Sequence, residues 1–172
     1  MKALLTGCAA ILASAIVALA TAGSVGAASS PPESAALSES TDLRARIWSS
    51  TEKQVLQLHN QARATAGLGP LTGTNALGKA AAKRCTEIIS KFSHTRPNGT
   101  SWSTVLQQFR ISYRVAGENI AYGYSSANSV HTAWMNSSGH RANILRSSFK
   151  NAGVGQCTNS AGTQYWVVLF VG

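Results

Sequence analysis

Ala116-Gly117-Glu118-Asn119-Ile120-Ala121 sets one carboxylate and one amide inside an otherwise apolar run. From Val115 to Tyr122 the chain has the length and composition of a strand. A buried carboxylate costs free energy unless it is paired or hydrogen-bonded, so Glu118 demands a partner from elsewhere. A second stretch follows: Trp134-Met135-Asn136-Ser137-Ser138-Gly139-His140-Arg141-Ala142-Asn143. There a glycine and small polar residues release the chain from a helix just before a histidine.

Working outward, the apolar spacing predicts helices on the N-terminal side. Val55, Leu58 and Ala62 form one stripe of a helix over 52–66, with Thr51 and Gln54 spaced as a capping box and Gly67-Leu68-Gly69-Pro70 stopping it. A second helix runs over 76–90 behind Asn75, with Leu77, Ala81, Cys85 and Ile88 on one face. Shorter helices are predicted over 101–109 and 128–136. The C-terminus reads as a hairpin, with strands over 153–157 and 165–171 around a turn at 159–162. Helices come first and strands accumulate late, with no strand–helix–strand series. That favours an α+β or layered arrangement over a doubly wound sheet.

The 172 residues hold one domain. Hydrophobic residues at 44% are enough for a core, which excludes a disordered polyelectrolyte. The N-terminus has the three parts of a secretory leader: Lys2, an apolar centre over 9–22, then small residues with cleavage sites in 22–28. A retained membrane anchor is the alternative. The organisation is therefore a signal peptide over 1–27, a Ser/Ala/Pro/Glu-rich tether over 28–49, and a domain over 50–172, in a secreted, extracellular protein. Fifteen Lys and Arg against six Asp and Glu give +9, and loss of Lys2 with the leader leaves +8. Such a charge suits anionic surfaces, for example a cell-wall polymer. No linear basic run or nucleic-acid signature is present, so nucleic acid is not an expected partner. Loss of Cys8 with the leader leaves Cys85 and Cys157, which in an exported protein are expected to pair; two separate buried thiols are the alternative.

The chemistry-bearing residues are few. There are four histidines, His59, His94, His131 and His140, without HExxH or CxxC spacing. No GxSxG, GxGxxG or P-loop occurs. Beyond residue 50 the only acidic residues are Glu52, Glu87 and Glu118. A two-carboxylate glycosidase has no good pair, because Glu87 beside Lys83 and Arg84 reads as a surface ion partner. His59 falls on the apolar face of its helix and reads as a core histidine. Asn60 and Arg63 read as structural, the tryptophans as core, and His131 receives no role.

Phe92-Ser93-His94, Gly117-Glu118-Asn119 and Trp134 through Gly139-His140-Arg141-Ala142-Asn143-Ile144-Leu145 together resemble the signature of the CAP superfamily, which comprises cysteine-rich secretory proteins, antigen 5 and pathogenesis-related 1. His59-Asn60-Gln61-Ala62-Arg63 is similar to the HNxxR of that family's first helix. The motifs run in order over 52–172, and Ser137-Ser138-Gly139-His140 is most similar to the bacterial branch. The resemblance implies a three-layer α-β-α sandwich with a central antiparallel sheet. It also implies a cleft in which His94, His140 and Glu118 meet. The second cleft glutamate of many eukaryotic members is here Ser137.

His94 and His140 are then the candidate metal ligands, for zinc or copper, against a reading as a hydrogen-bonded structural pair. Glu118 would orient one of the two histidines. No catalytic residue is assigned. The expected function is a non-enzymatic binding domain, a monomer, taking a small apolar ligand such as a lipid, as the resemblance implies. The alternatives are a metal-dependent hydrolase of peptide or wall material, with Glu118 as base, and a basic wall-association module.

Overall fold

The structure, a computed structural model, describes residues 1–9 and 48–172. Most of the leader and nearly all of the tether lie outside the described residues. In chain order the elements are β1 (Ala3–Ala9), α1 (Ser50–Thr65), β2 (Thr72–Gly73), α2 (Asn75–Ser90), α3 (Thr104–Gln108), β3 (Ala116–Tyr122), α4 (Ala127–Met135), α5 (Ser138–Ile144), β4 (Asn151–Thr158) and β5 (Gln164–Val171).

Five strands form one sheet in the order β1-β3-β5-β4-β2. All pairings are antiparallel except the two-residue β2, which runs parallel to β4. β5 lies at the centre and is covered on both faces, which explains its unbroken apolar run. Its side chains alternate. Trp166, Val168 and Phe170 join Val55 of α1, Val130 and Trp134 of α4 and Ile144 of α5 in one core cluster. Val167, Leu169 and Val171 join Leu77, Ala81, Cys85 and Ile88 of α2 and Val105 and Leu106 of α3 in the other. The result is the α-β-α sandwich that the resemblance implied.

The close approach of α2 to the sheet is written in small residues. A Cβ at Gly153 would strike the Leu77 carbonyl, and one at Gly155 the Ala81 carbonyl, so β4 can carry only glycine at these two points. Cys85 of α2 is bonded to Cys157 of β4, with Cα atoms 6.0 Å apart, as expected for the two cysteines of the domain.

Element boundaries moved where capping chemistry was misread. The first helix begins ahead of the position that Thr51 would cap: Ser49 and Glu52 make the reciprocal box, and Glu52 Oε1 also accepts from the Gln156 backbone N–H of β4. Thr74, not Asn75, caps α2. The largest correction is at 138–144, where the chain leaves α4 only to start α5 at once. Trp48 and Ser49, placed in the tether by the sequence reading, belong to the folded unit: the Trp48 indole packs over Gly73 and Gly78.

Asn60 and Arg63 of α1 act as structural clamps. The Asn60 amide donates to the Leu71 carbonyl at 3.0 Å and accepts from its N–H at 2.8 Å, copying a strand pairing. Arg63 is buried and donates to the carbonyls of Gly69, Ile144, Arg146 and Phe149, so its charge satisfies the carbonyl end of α5.

Candidate functional site

Strand alternation decides what β3 can reach. Ala116, Glu118 and Ile120 face the α2 side, while Gly117, Asn119 and Ala121 face α4 and α5. Glu118 and Asn119 therefore project to opposite faces, and each holds one histidine-bearing segment.

On the first face, Glu118 is fully buried and paired with the equally buried Arg84 of α2. Arg84 donates from Nε at 3.1 Å and Nη2 at 2.9 Å to Glu118 Oε1. Its Nη2 also reaches the Ser93 carbonyl at 2.9 Å, and its Nη1 reaches Glu87 Oε2 at 2.9 Å. Glu87 in turn accepts from Arg96 at 2.6 Å, and Arg96 donates on to Thr104 and Gln108. Burial, the largest single influence on the Glu87 carboxyl, pushes its pKa up, but the Arg96 and Arg84 contacts together outweigh it and hold the pKa below its ordinary value. This chain of charges fixes the loop between α2 and α3. On that loop stands His94, with Nδ1 3.2 Å from Glu118 Oε2.

On the second face, the Asn119 amide donates to the His140 carbonyl at 3.1 Å, and Asn143 donates to Asn119 Oδ1 at 2.9 Å. Gly117 leaves the space that Phe149 and Asn143 fill: a Cβ there would lie 2.9 Å from the Phe149 ring. His140 sits in the first turn of α5, with Nδ1 2.7 Å from Ser137 Oγ. Burial lowers the His140 pKa. The Leu5 carbonyl raises it, without a well-formed hydrogen bond to Nε2, and the neighbouring His94 lowers it.

His94 and His140 thus share one feature. Each ring is held at Nδ1, and each Nε2 is buried without a hydrogen-bond partner in the protein. A carboxylate can only accept, so His94 donates from Nδ1 to Glu118, and a neutral His94 then presents a bare lone pair at Nε2. Glu118 holds His94 directly, whereas His140 is held through Ser137 and Asn119 on the other face of the sheet. Ser137 gives His140 a neutral partner at Nδ1.

Two groups were misassigned from sequence. Arg84, read from the sequence as the neighbour of a surface Glu87, is wholly buried and central. Glu87 is its second partner rather than a surface ion. His59 is buried against Trp134 and Phe170, as expected of a core histidine. His131, given no role, lies with Nδ1 2.9 Å from His59 Nδ1. Burial lowers both pKa values, and for His59 the charges of His131 and Arg63 lower it further.

That pair predicts an acid-sensitive fold. The folded state binds fewer protons than the unfolded chain, so the stabilisation is complete above the ordinary histidine pKa of about 6.5 and is lost as pH falls below it. The unfolding free energy is expected to be flat just above neutrality and to fall on acidification toward about pH 5, by up to about 1.4 kcal/mol per pH unit for each proton taken up, with the Tm falling in step. H59F should flatten this dependence; an unchanged slope in H59F would contradict it.

The comparisons agree with this architecture. The cysteine-rich secretory protein family, CAP, matches residues 56–170, and the chain belongs to it. It is 37% identical over 147 residues to the uncharacterized protein YkwD of Bacillus subtilis, covering 84% of this chain and 56% of that protein. It is 32% identical over 112 residues to the uncharacterized membrane protein YlbC of the same organism, covering 64% of this chain and 32% of that one. The chain thus spans about half of one relative and a third of the other. Among solved structures it is similar to an extracellular protein containing an SCP domain from Bacillus anthracis, with TM-score 0.64 and 27% identity, covering 70% of this chain and 40% of that one. It also shares the fold of an outer surface protein of Borrelia burgdorferi, with TM-score 0.65 and 22% identity, over 73% of this chain and 95% of that one.

Proposed function

We propose that the chain is a secreted, non-enzymatic CAP domain whose His94–Glu118–His140 site receives a ligand through the two free imidazole nitrogens. The observation that carries this reading is that both rings are held at Nδ1 while neither Nε2 makes a well-formed hydrogen bond to the protein, with the Leu5 carbonyl of the leader facing His140 until residues 1–27 are removed. Export is supported by the leader-like N-terminus and by the extracellular and outer-surface descriptions of structural relatives. No described helix is long and apolar enough to cross a membrane.

Imidazole suits zinc or copper, and burial favours the neutral, metal-competent form of His140. Among the described residues no three His, Cys, Asp or Glu side chains are grouped to hold a metal. Two imidazoles would supply only part of an ion's ligand set, so the proposed ion is an exchangeable one rather than a structural centre, which takes four protein ligands. The hydrolase reading is weaker, because both Glu118 oxygens are already engaged by Arg84 and His94 and neither is free to serve as base. An apolar ligand would find its surface elsewhere. A groove of about 380 Å³ between α1, α4 and α5 is lined by Ala62, Thr65, Ala66, Met135, Arg141 and Leu145.

Calorimetric titration of zinc and copper into the metal-stripped chain beginning at residue 28 tests the site. One ion per chain is expected, lost in H94A/H140A. No binding, or binding that survives the double substitution, would refute the assignment.

A further inference from the structure

We propose that the outer edge of β3 is a strand-addition site for an extended, uncharged peptide, and that Ala3–Ala9 is its intramolecular occupant in the full-length chain. The seven residues of β1 pair one for one with β3, from Ala3 opposite Tyr122 to Ala9 opposite Ala116. Among the described residues, every fully buried side chain lies between Glu52 and Val171, and β1 adds the partly buried Leu4 to the core cluster. The other four strands keep helices on both faces without it, so the folded unit does not need β1 to exist.

Removing β1 would uncover an unusual edge. Natural sheets protect open edges with lysine, proline or bulges, or keep them very short. Ala116–Tyr122 is seven residues long, contains neither lysine nor proline, and pairs without a bulge; its one charge, Glu118, is turned inward and neutralised by Arg84, which leaves the backbone edge itself without a charge of its own. An edge left so open is suited to pairing with another backbone. The register states what fits. Leu4, opposite Ala121, packs against the core cluster that holds Trp134 and Phe170. Thr6, opposite Asn119, lies beside Gly139, where a Cβ would approach its hydroxyl to 3.3 Å. Gly7 stands opposite Glu118. The partner is thus a short strand of small and apolar residues, and it lies along the start of α5 next to His140.

In the cell this requires removal of residues 1–27, and so rests on the export reading; the binding itself is tested on chains of chosen start. The probe is a synthetic peptide of residues 2–9 carrying C8S, followed by hydrogen exchange of the β3 amides. In the chain beginning at residue 28, these amides should exchange fast alone and about tenfold more slowly with about 1 mM peptide. In the full-length chain they should be slow already and indifferent to the peptide. A peptide with both L4P and L5P should protect nothing, because one of two adjacent N–H groups must face β3. Equal protection by that peptide, no protection in the short chain, or β3 amides already slow there without peptide would overturn the proposal. Mass spectrometry of the exported chain is a separate test. A product still beginning at Met1 would overturn removal of the leader, and the exchange result would still decide the edge.

Discussion

Replacing Arg84 with alanine is expected to destabilise the domain by about 3–5 kcal/mol, the range for removing one partner of a buried ion pair. Arg84 and Glu118 are both fully buried, so the substitution leaves a carboxylate in the core without its cation. The loss exceeds one contact, because the same guanidinium also holds the Ser93 carbonyl and Glu87. R84K should fail to rescue, since an ammonium cannot reproduce the fork that spans these acceptors. The control is R84M/E118L, which removes both charges and should recover most of the stability. Denaturant unfolding of the four chains measures this. A loss below about 1 kcal/mol in R84A would place the pair among exposed ion pairs of little weight, contrary to the geometry.

Loss of the disulfide is the second large effect. Cys85 and Cys157 are separated by 72 residues. On the chain-entropy account, opening a loop of that size costs about 4 kcal/mol, mostly by freeing the unfolded chain. C85A/C157A and the reduced wild type should therefore unfold at similar, much lower denaturant concentrations. The bridge also bears on the site. Cys85 ties α2 to β4 at the residue next to Arg84, which ties α2 to β3. His94 should thus lose definition on reduction before the sheet melts, visible as broadening of its imidazole resonances. Coincident stability with and without reductant would contradict this assignment.

The three candidate residues stand out in the sequence because each sits in a motif: His94 after Phe92-Ser93, Glu118 within Gly117-Glu118-Asn119, and His140 after Gly139. The lone carboxylate in an apolar strand correctly announced a missing partner. The identity of that partner was not legible. Arg84 lies among lysines on a helix, where a charge normally faces water, and its burial depends on a strand 34 residues away. Helix α5 escaped because Gly139 and serines are poor helix formers, and its capping residue Ser137 makes no side-chain hydrogen bond to the first-turn backbone. Its carbonyl end is satisfied instead by Arg63, 81 residues from Ile144. β1 escaped for a different reason. Small apolar residues serve a leader and a strand equally, and only pairing with a distant edge distinguishes the two. The core face of β5 and the helix stripes were plain, since period alone places them.

The account's central claim is that His94 and His140 are fixed at Nδ1 and open at Nε2. Long-range proton–nitrogen NMR of the histidine side chains, in the chain beginning at residue 28 and near neutral pH, tests it most directly. The account predicts that His94 is protonated at Nδ1 and bare at Nε2, and that the Nε2 resonances of His94 and His140 both move on adding one equivalent of zinc. A His94 protonated at Nε2, with both resonances unmoved by zinc, would contradict it and leave the two histidines as structural groups.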